Sequence, residues 1–518
     1  MTQRKDINKK LLILTTIIIS LFLLNILFTY NLKYFGSPDE RINSNFIANY
    51  KKSSNLYYLS NSSSNLGFEH PRSTIEINNK VYPTGFLGLI LVYGTLSFLT
   101  AQNILSFLLF IISLFYVYKL CLMFFNKNES LILTLLYLIF PTNFYYSFHP
   151  YYNNIPALSF LIIGTYYYFK DQKIKNNILS GVFFGCAIFF RNTYALFLLV
   201  TIILFSIVSL KEEKIKQILI KNVLIGCMAL LSVIQIFILN KEIFNGALNF
   251  AETTNTNNNL LNKILWFFLT SGNNPSIFAN NLYNYFIKIF WPFSLISIII
   301  AIYFIFKRIK LEKKQKQIII FFLLYLVYKI YFYYNGTYYG MNANPSIIAA
   351  SYLRYIPEIS FLIIVPFLLF MKKMKLKNST KIILASIFII NFVIFTFSST
   401  QGLTSYYLEN KHYTNINNNV KKVIPTNNTI VYTLYWDKVL FPDYNVATYS
   451  SKVDIYKNSS YIVEDMLTNY KANKTIYLMK DNKLYNISKM DYELKRDNLT
   501  LERISNLYGG IYILNNLT

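Results

Sequence analysis

The sequence predicts a polytopic α-helical membrane protein that carries a small mixed α/β domain after its last span. Of the 518 residues, 54% are hydrophobic and 18% aromatic, while only 14% are charged. Apolar runs of about 20 residues, the length that crosses a bilayer as a helix, recur between residues 11 and 398. From about Ser399 those runs stop and a mixed segment of about 120 residues begins.

The formal net charge is +26, a value that in a soluble protein would suggest nucleic acid. Here the Lys and Arg lie largely in short clusters between apolar runs, the pattern of cytoplasmic loops. Topology therefore explains much of the charge, and no nucleic-acid partner is expected. Cys121, Cys186 and Cys227 all fall inside apolar runs and show neither metal-ligand nor disulfide spacing. They read as packing residues.

Arg4, Lys5, Lys9 and Lys10 precede the first run and should keep the N-terminus in the cytoplasm. That run has no small-residue cleavage site after it and is expected to stay as a span. Twelve apolar segments follow one another, at about 11–32, 85–99, 102–125, 130–148, 155–169, 178–190, 194–210, 218–240, 281–306, 317–334, 351–370 and 381–398. If all crossed, the basic loops at Lys173–Lys175, Lys211–Lys214, Lys307–Lys316 and Lys372–Lys377 would fall on the wrong side. The segment 85–99 is short and joined to the next run by only Thr100-Ala101. Laid in the outer interface, it leaves about eleven spans and a first outer loop from about 33 to 101. The expected division is a membrane domain over 1–398 and an extracytoplasmic α/β domain over 399–518.

That topology gathers polar groups on one outer face. The first outer loop opens with Gly36-Ser37-Pro38-Asp39-Glu40-Arg41. Two adjacent carboxylates at the mouth of a span can serve as a base or a metal ligand, while Pro and acids also favour the first turn of a helix. Arg191 and Arg354 are isolated cations at the outer ends of spans, where the positive-inside tendency does not place them. Each could fork onto a phosphate, snorkel, or pair with a carboxylate such as Glu358. His70 precedes Pro71 in a Ser/Asn-rich stretch, and His149-Pro150 lies in a turn beside Asn153-Asn154. A lone outer His reads most simply as a polar surface residue. Three His in the whole chain cannot build a zinc-type cluster with these Cys.

In the C-terminal segment, strand-like runs at Thr429–Leu434, Thr475–Met479 and Gly510–Leu514 alternate with helix-like stretches at Asn415–Val423 and Tyr461–Tyr470. It has no Gly-rich phosphate loop, nucleophile elbow or metal spacing, and reads as an accessory or acceptor-binding domain.

Taken together, the N-terminal span, the outer loop opening Asp39-Glu40, the Tyr82-Pro83-Thr84-Gly85 turn before a short apolar segment, the spans joined at Arg191, and the late Arg354-Tyr355-Ile356-Pro357 resemble the polytopic GT-C glycosyltransferases. Within these the chain is most similar to glycosyltransferase family 39, the protein O-mannosyltransferase and aminoarabinose transferase group, over roughly residues 10–400. The resemblance implies a GT-C fold in the cell membrane and a polyprenyl-phosphate-linked sugar as donor on the outer face. It makes Asp39 the catalytic carboxylate, acting as base or holding a divalent metal such as Mg or Mn together with Glu40. Arg354 with Tyr355, and Arg191, would hold the lipid phosphate. Tyr82 and Pro83 would border the donor groove, with His70, His149 and Asn154 as further substrate contacts. Many relatives carry an acidic residue where this chain has Asn153-Asn154, and Pro83-Thr84-Gly85 replaces a Pro-Pro-Gly-like turn.

A membrane glycosyltransferase is thus the leading expectation, with an oligosaccharide ligase or polymerase of the same architecture as the alternative. A lipid-glycan flippase or transporter would be expected to show internal repeats or charged residues buried at mid-membrane; the sequence shows no repeats and almost no ionisable residues at the centres of its spans.

Overall fold

Pro38 and Pro141 each stand at the start of a helix, and the apolar runs of the sequence fill the longer helices. The computed structural model describes residues 2–29, 32–35, 37–60, 70–85, 87–97, 102–171, 173–210, 215–244, 313–332, 378–399, 402–433, 436–448, 459–480 and 487–517, with isolated positions between 276 and 302 and at 357, 358, 360 and 364. In chain order the helices begin with α1 (Thr2–Thr29) and α2 (Pro38–Ser53), followed by short strands β1 (Tyr58–Leu59), β2 (Thr74–Ile77) and β3 (Lys80–Pro83) and helix α3 (Leu87–Leu96). Then come α4 (Leu105–Cys121), α5 (Lys127–Leu138), α6 (Pro141–Ser147), α7 (Asn154–Lys170), α8 (Ile174–Phe190), α9 (Thr193–Ser209), α10 (Ile215–Phe244), α11 (Lys313–Phe332), α12 (Asn378–Phe397) and α13 (Leu403–Lys421). The last part holds β4 (Thr429–Tyr432), α14 (Asp437–Leu440), β5 (Asn445–Ala447), α15 (Ser459–Lys471), β6 (Thr475–Met479), α16 (Ile487–Lys495), β7 (Leu499–Ser505) and β8 (Ile511–Asn516).

The chain divides into two compact units. One takes residues 1–30, 101–241 and 255–406; the other takes 31–100, 242–254 and 407–518. The first outer loop expected from the sequence thus folds in one unit with the C-terminal segment.

In the first unit, the helical stretch Gln102–Cys121 that contains α4 and the stretch Ile215–Ile243 of α10 are long and apolar enough to cross a membrane, and α5 with α6 makes a third such stretch, bent by 61°. The bend has a local cause. Pro141 lacks an N–H and forces Phe140 into an extended conformation (φ −66, ψ 122), so the α5 helix cannot run through it. At its other end α5 is fixed by a capping box in which the Asn126 side chain and Glu129 satisfy each other's backbone N–H groups. Two glycines one turn apart, Gly181 and Gly185, let α8 approach α10: a Cβ at Gly181 would lie 2.6 Å from the Ile225 carbonyl oxygen. Small residues at such spacing are how helices in lipid gain close van der Waals contact. The segments 317–334 and 381–398 appear as α11 and α12. Most of 281–306 and 351–370 lies outside the described residues, so the described helices do not yield the full count of about eleven spans.

In the second unit, α3 spans ten residues, about 15 Å at the helical rise and half a hydrocarbon core. It is buried on nearly all sides and packs on α2 through Gly94, where a Cβ would meet the Tyr50 ring at 2.5 Å. β2 and β3 form a hairpin whose two linking residues, Asn78 and Asn79, both take left-handed φ values (52 and 57). This is the conformation a two-residue type I′ turn needs, and Asn tolerates it better than most residues.

The C-terminal segment builds a five-stranded sheet in the order β5-β4-β6-β8-β7. β4 pairs in parallel with β5 and β6, while β8 runs antiparallel to β6 and β7. Ile430, Tyr432, Ile476 and Leu478 of its central strands pack with Ile462, Met466, Met490 and Leu494 of α15 and α16 into one core. All four residues of β4 are buried, as expected of a strand covered on both faces.

Candidate active site

The carboxylate pair sits where the sequence suggested a helix could begin. Ser37 takes an extended conformation as N-cap, Pro38 follows at the first helical position, and Asp39 and Glu40 occupy the first turn of α2. The positive end of the helix dipole favours acids there. Consecutive helical residues point about 100° apart, so the two carboxylates meet different surroundings. Glu40 is fully buried, whereas Asp39 is only partly so. Ser73 Oγ donates to Asp39 Oδ1 at 2.6 Å.

Arg41, next in line, is spent on the backbone. Its guanidinium donates to the carbonyls of Lys33 (2.6 Å), Lys438 (3.1 Å) and Phe441 (3.2 Å) and lies 4.5 Å over the Tyr34 ring. Asn45 adds a bond to the Phe441 carbonyl at 3.0 Å. The start of α2 is thereby tied to residues 438–441.

The hairpin brings the turn expected from the sequence to the same place. Thr74 pairs with Pro83 and Ile75 with Tyr82 across β2 and β3. Just beyond, the Thr84 N–H donates to the Ser73 carbonyl at 3.0 Å, and a Cβ on Gly85 would stand 3.6 Å from Asn43 Oδ1 on α2. Tyr82 lies 5.8 Å from the Tyr57 ring, and burial pushes its phenol pKa up. His70 places Nδ1 3.0 Å from the Pro71 carbonyl oxygen and 3.2 Å from Thr74 Oγ1, and its own carbonyl accepts from the Thr448 hydroxyl. Asp39, Glu40, His70, Tyr82 and Pro83 therefore all belong to the second unit, on α2 and the segment from His70 to Pro83.

The remaining described candidates belong to the first unit. Arg191 ends α8 in an extended conformation, is buried, and donates from Nε to Thr193 Oγ1 at 3.2 Å. One turn on, the Tyr194 hydroxyl donates to Glu358 Oε1 at 2.6 Å. Glu358, considered from the sequence as a partner for an outer arginine, pairs with Lys329: Nζ lies 2.8 Å from Oε1 and 2.9 Å from Oε2, with both side chains buried. The Arg191 guanidinium acts electrostatically on this ammonium. Lys329 escaped the sequence reading because a lysine near the end of an apolar run looks like a snorkelling group. Arg354 and Tyr355 lie outside the described residues.

The surface reading of His149 is overturned. It is 3% exposed, and its ring centroid lies 3.9 Å from that of Tyr406, 4.6 Å from Tyr145 and 5.2 Å from Tyr152. Pro150-Tyr151 does make a turn, but aromatic side chains from outside it cover the imidazole. Asn154 is buried at the first position of α7.

A divalent metal needs several converging oxygen or nitrogen ligands. Among the described residues no group of three or more His, Cys, Asp or Glu is assembled, and Glu40 is turned into the interior. Asp39 and Glu40 do not make a metal site by themselves.

Residues 91–237 match the family model described as dolichyl-phosphate-mannose-protein mannosyltransferase. Among solved structures, ArnT from Cupriavidus metallidurans bound to undecaprenyl phosphate superposes with a TM-score of 0.57 at 9% identity, covering 97% of both chains. The Archaeoglobus fulgidus oligosaccharyltransferase in its apo form gives 0.55 at 10% identity, over 90% of this chain and 69% of that one. Its complex with an inhibitory peptide and a dolichol-phosphate gives 0.54 at 11%. The chain has the fold of the GT-C membrane glycosyltransferases. No curated protein matches it. The family-matched stretch runs from α3 into α10 and contains His149, Asn154 and Arg191; Asp39, Glu40, His70, Tyr82 and Pro83 precede it.

Proposed function

We propose that this GT-C protein transfers a sugar from a polyprenyl-phosphate-linked donor to a hydroxyl-bearing acceptor on the outer face of the membrane, with Asp39 as the catalytic base. The observation that carries the reading is the inequality of the acidic pair. Glu40 is sealed in the interior, while Asp39 stays partly exposed with its carboxylate oriented by Ser73. A base must reach the proton that it removes, and only one of the two carboxylates meets that condition. The donor class rests on the fold, whose solved examples hold undecaprenyl phosphate or a dolichol-phosphate.

In this reading the acceptor oxygen attacks the anomeric carbon and its proton passes to Asp39. The bond between that carbon and the phosphate oxygen breaks, and the electron pair leaves with the polyprenyl phosphate. Negative charge grows on the departing phosphate, so cations held in advance stabilise the transition state. Arg354, with Tyr355 beside it, and Arg191 are assigned that role. A leaving group anchored in lipid removes any need for a nucleotide-binding loop.

The test incubates membranes carrying wild-type protein or Asp39→Asn with radiolabelled polyprenyl-phosphate sugars. The expected result is a fall in transfer of at least about 100-fold, the usual contribution of a positioned base, at unchanged protein level. Transfer retained by Asp39→Asn rejects the assignment. The size of the labelled product separates single-sugar transfer from ligation of a larger glycan.

A further inference from the structure

Asp437 opens the short helix α14 and is fully buried. Both of its carboxylate oxygens are engaged by one residue of the first outer loop, 365 positions away. Arg72 Nη2 lies 2.7 Å from Oδ1, Nε lies 3.1 Å from the same oxygen, and the Arg72 backbone N–H donates to Oδ2 at 2.7 Å. A carboxylate that receives a guanidinium side-on and the same residue's N–H fixes both the side chain and the local backbone.

The next residue is Ser73, whose φ of 63 puts a non-glycine residue in the left-handed region. Such a conformation is costly and persists where flanking contacts over-determine it. Here Asp437 fixes the residue before Ser73, while the Thr74–Pro83 pair and the Thr84-to-Ser73 bond fix the strand after it. The outcome of that constraint is the 2.6 Å bond from the Ser73 hydroxyl to Asp39. The other side of this bond is fastened to the same place, because Arg41 and Asn45 of α2 donate to the carbonyls of Lys438 and Phe441. Residues 437–441 thus hold both the helix that carries the carboxylate and the strand end that orients it.

We infer that Asp437 is a positioning residue for sugar transfer: by gripping Arg72 it keeps Ser73 in the conformation that directs its hydroxyl to Asp39. The inference rests on the reading of Asp39 as base, and it gives the C-terminal segment a part in the reaction besides any contact with acceptor.

The test uses full-length protein in nanodiscs and measures kcat and the donor KM for Asp437→Asn, Ser73→Ala and the double variant, with elution volume as the check on folding. Each single substitution is expected to lower kcat about 10-fold, since small misplacements of reacting groups are costly, while the donor KM stays within about twofold. Because Asp437 acts through Ser73, the double variant should lose no more than Ser73→Ala alone. A multiplied loss of about 100-fold, or full kcat in folded Asp437→Asn, overturns the inference. If Asp437→Asn does not fold, the apolar pair Arg72→Met with Asp437→Leu replaces it under the same criteria. Asp39→Asn is measured alongside: its retained activity sinks the base assignment, whereas an inactive Asp39→Asn with multiplied losses elsewhere sinks only the role of Asp437.

Discussion

Lys329 and Glu358 form an ion pair at 2.8 Å with 0% and 1% side-chain exposure, and the Tyr194 hydroxyl completes it by donating to the same carboxylate. Two charges removed from water persist only when each answers the other, so taking one away leaves the second uncompensated. Lys329→Met alone is expected to cost about 3–5 kcal/mol. Adding Glu358→Gln, which keeps an acceptor for Tyr194, should restore most of it. Thermal unfolding in a single detergent checks this; equal destabilisation by the single and double variants would show that the pair does not act as a unit.

Gly181 and Gly185 are expected to be intolerant of even a methyl group. A Cβ at Gly181 meets the Ile225 backbone at 2.6 Å, and a backbone cannot rotate aside as a side chain can. Gly181→Ala should therefore destabilise by about 1–3 kcal/mol, and Gly226→Ala on α10, where a Cβ meets nothing within 4 Å, should not. The two melting temperatures, measured side by side, decide the point.

The features legible in the sequence are those written in local pattern. Pro38-Asp39-Glu40 announced a helix start, and the runs at 429–434 and 475–479 contain β4 (Thr429–Tyr432) and β6 (Thr475–Met479), whose β-branched and aromatic residues fit a buried sheet. The brevity of 85–99 marked the ten-residue α3. What escaped was short or distant. β5 has three residues and β7 is largely polar, so neither shows a hydrophobic period. The grip of Asp437 on Arg72 and of Lys329 on Glu358 joins residues that no spacing rule connects, and Arg41 was passed over beside the more conspicuous acids. His149 looked exposed because the turn that carries it gives no sign of the tyrosines that close over it.

Lys438 supplies a pH dependence. Its ammonium donates to the Tyr413 hydroxyl at 3.1 Å, and burial together with the nearby Arg72 lowers its pKa from 10.5 to about 8, against the opposing pull of Glu409 and Asp437. The folded protein therefore binds this proton less tightly than the unfolded chain, and folding is penalised below about pH 8. Between about pH 8 and 10.5 the unfolded state still holds the proton that the folded state has lost, so stability rises with pH over that window. The gain is of order 3 kcal/mol across it. The stability of wild type relative to Lys438→Met should rise over this range, as read from denaturant midpoints at a series of pH values; a flat difference would show that Lys438 is better solvated than its surroundings indicate.

The Asn78-Asn79 turn offers a way to disturb Asp39 from a distance. Both residues hold left-handed φ values, and Ile77 pairs with Lys80 to close the hairpin whose far end fixes Ser73. Glycine accepts the second turn position at no steric cost, so Asn79→Gly should leave stability and transfer unchanged or slightly improved. A β-branched residue there strains the backbone by about 1–2 kcal/mol, and Asn79→Val should loosen the Thr74–Pro83 pairing and the bond from Thr84 to the Ser73 carbonyl. Its kcat should then fall in the same direction as that of Ser73→Ala, with little change in the donor KM. Melting temperature and transfer measured on one preparation separate the two effects: a lowered melting temperature with undiminished kcat would mean that Ser73 keeps its orientation without the hairpin, and that the grip of Asp437 on Arg72 is sufficient to aim it.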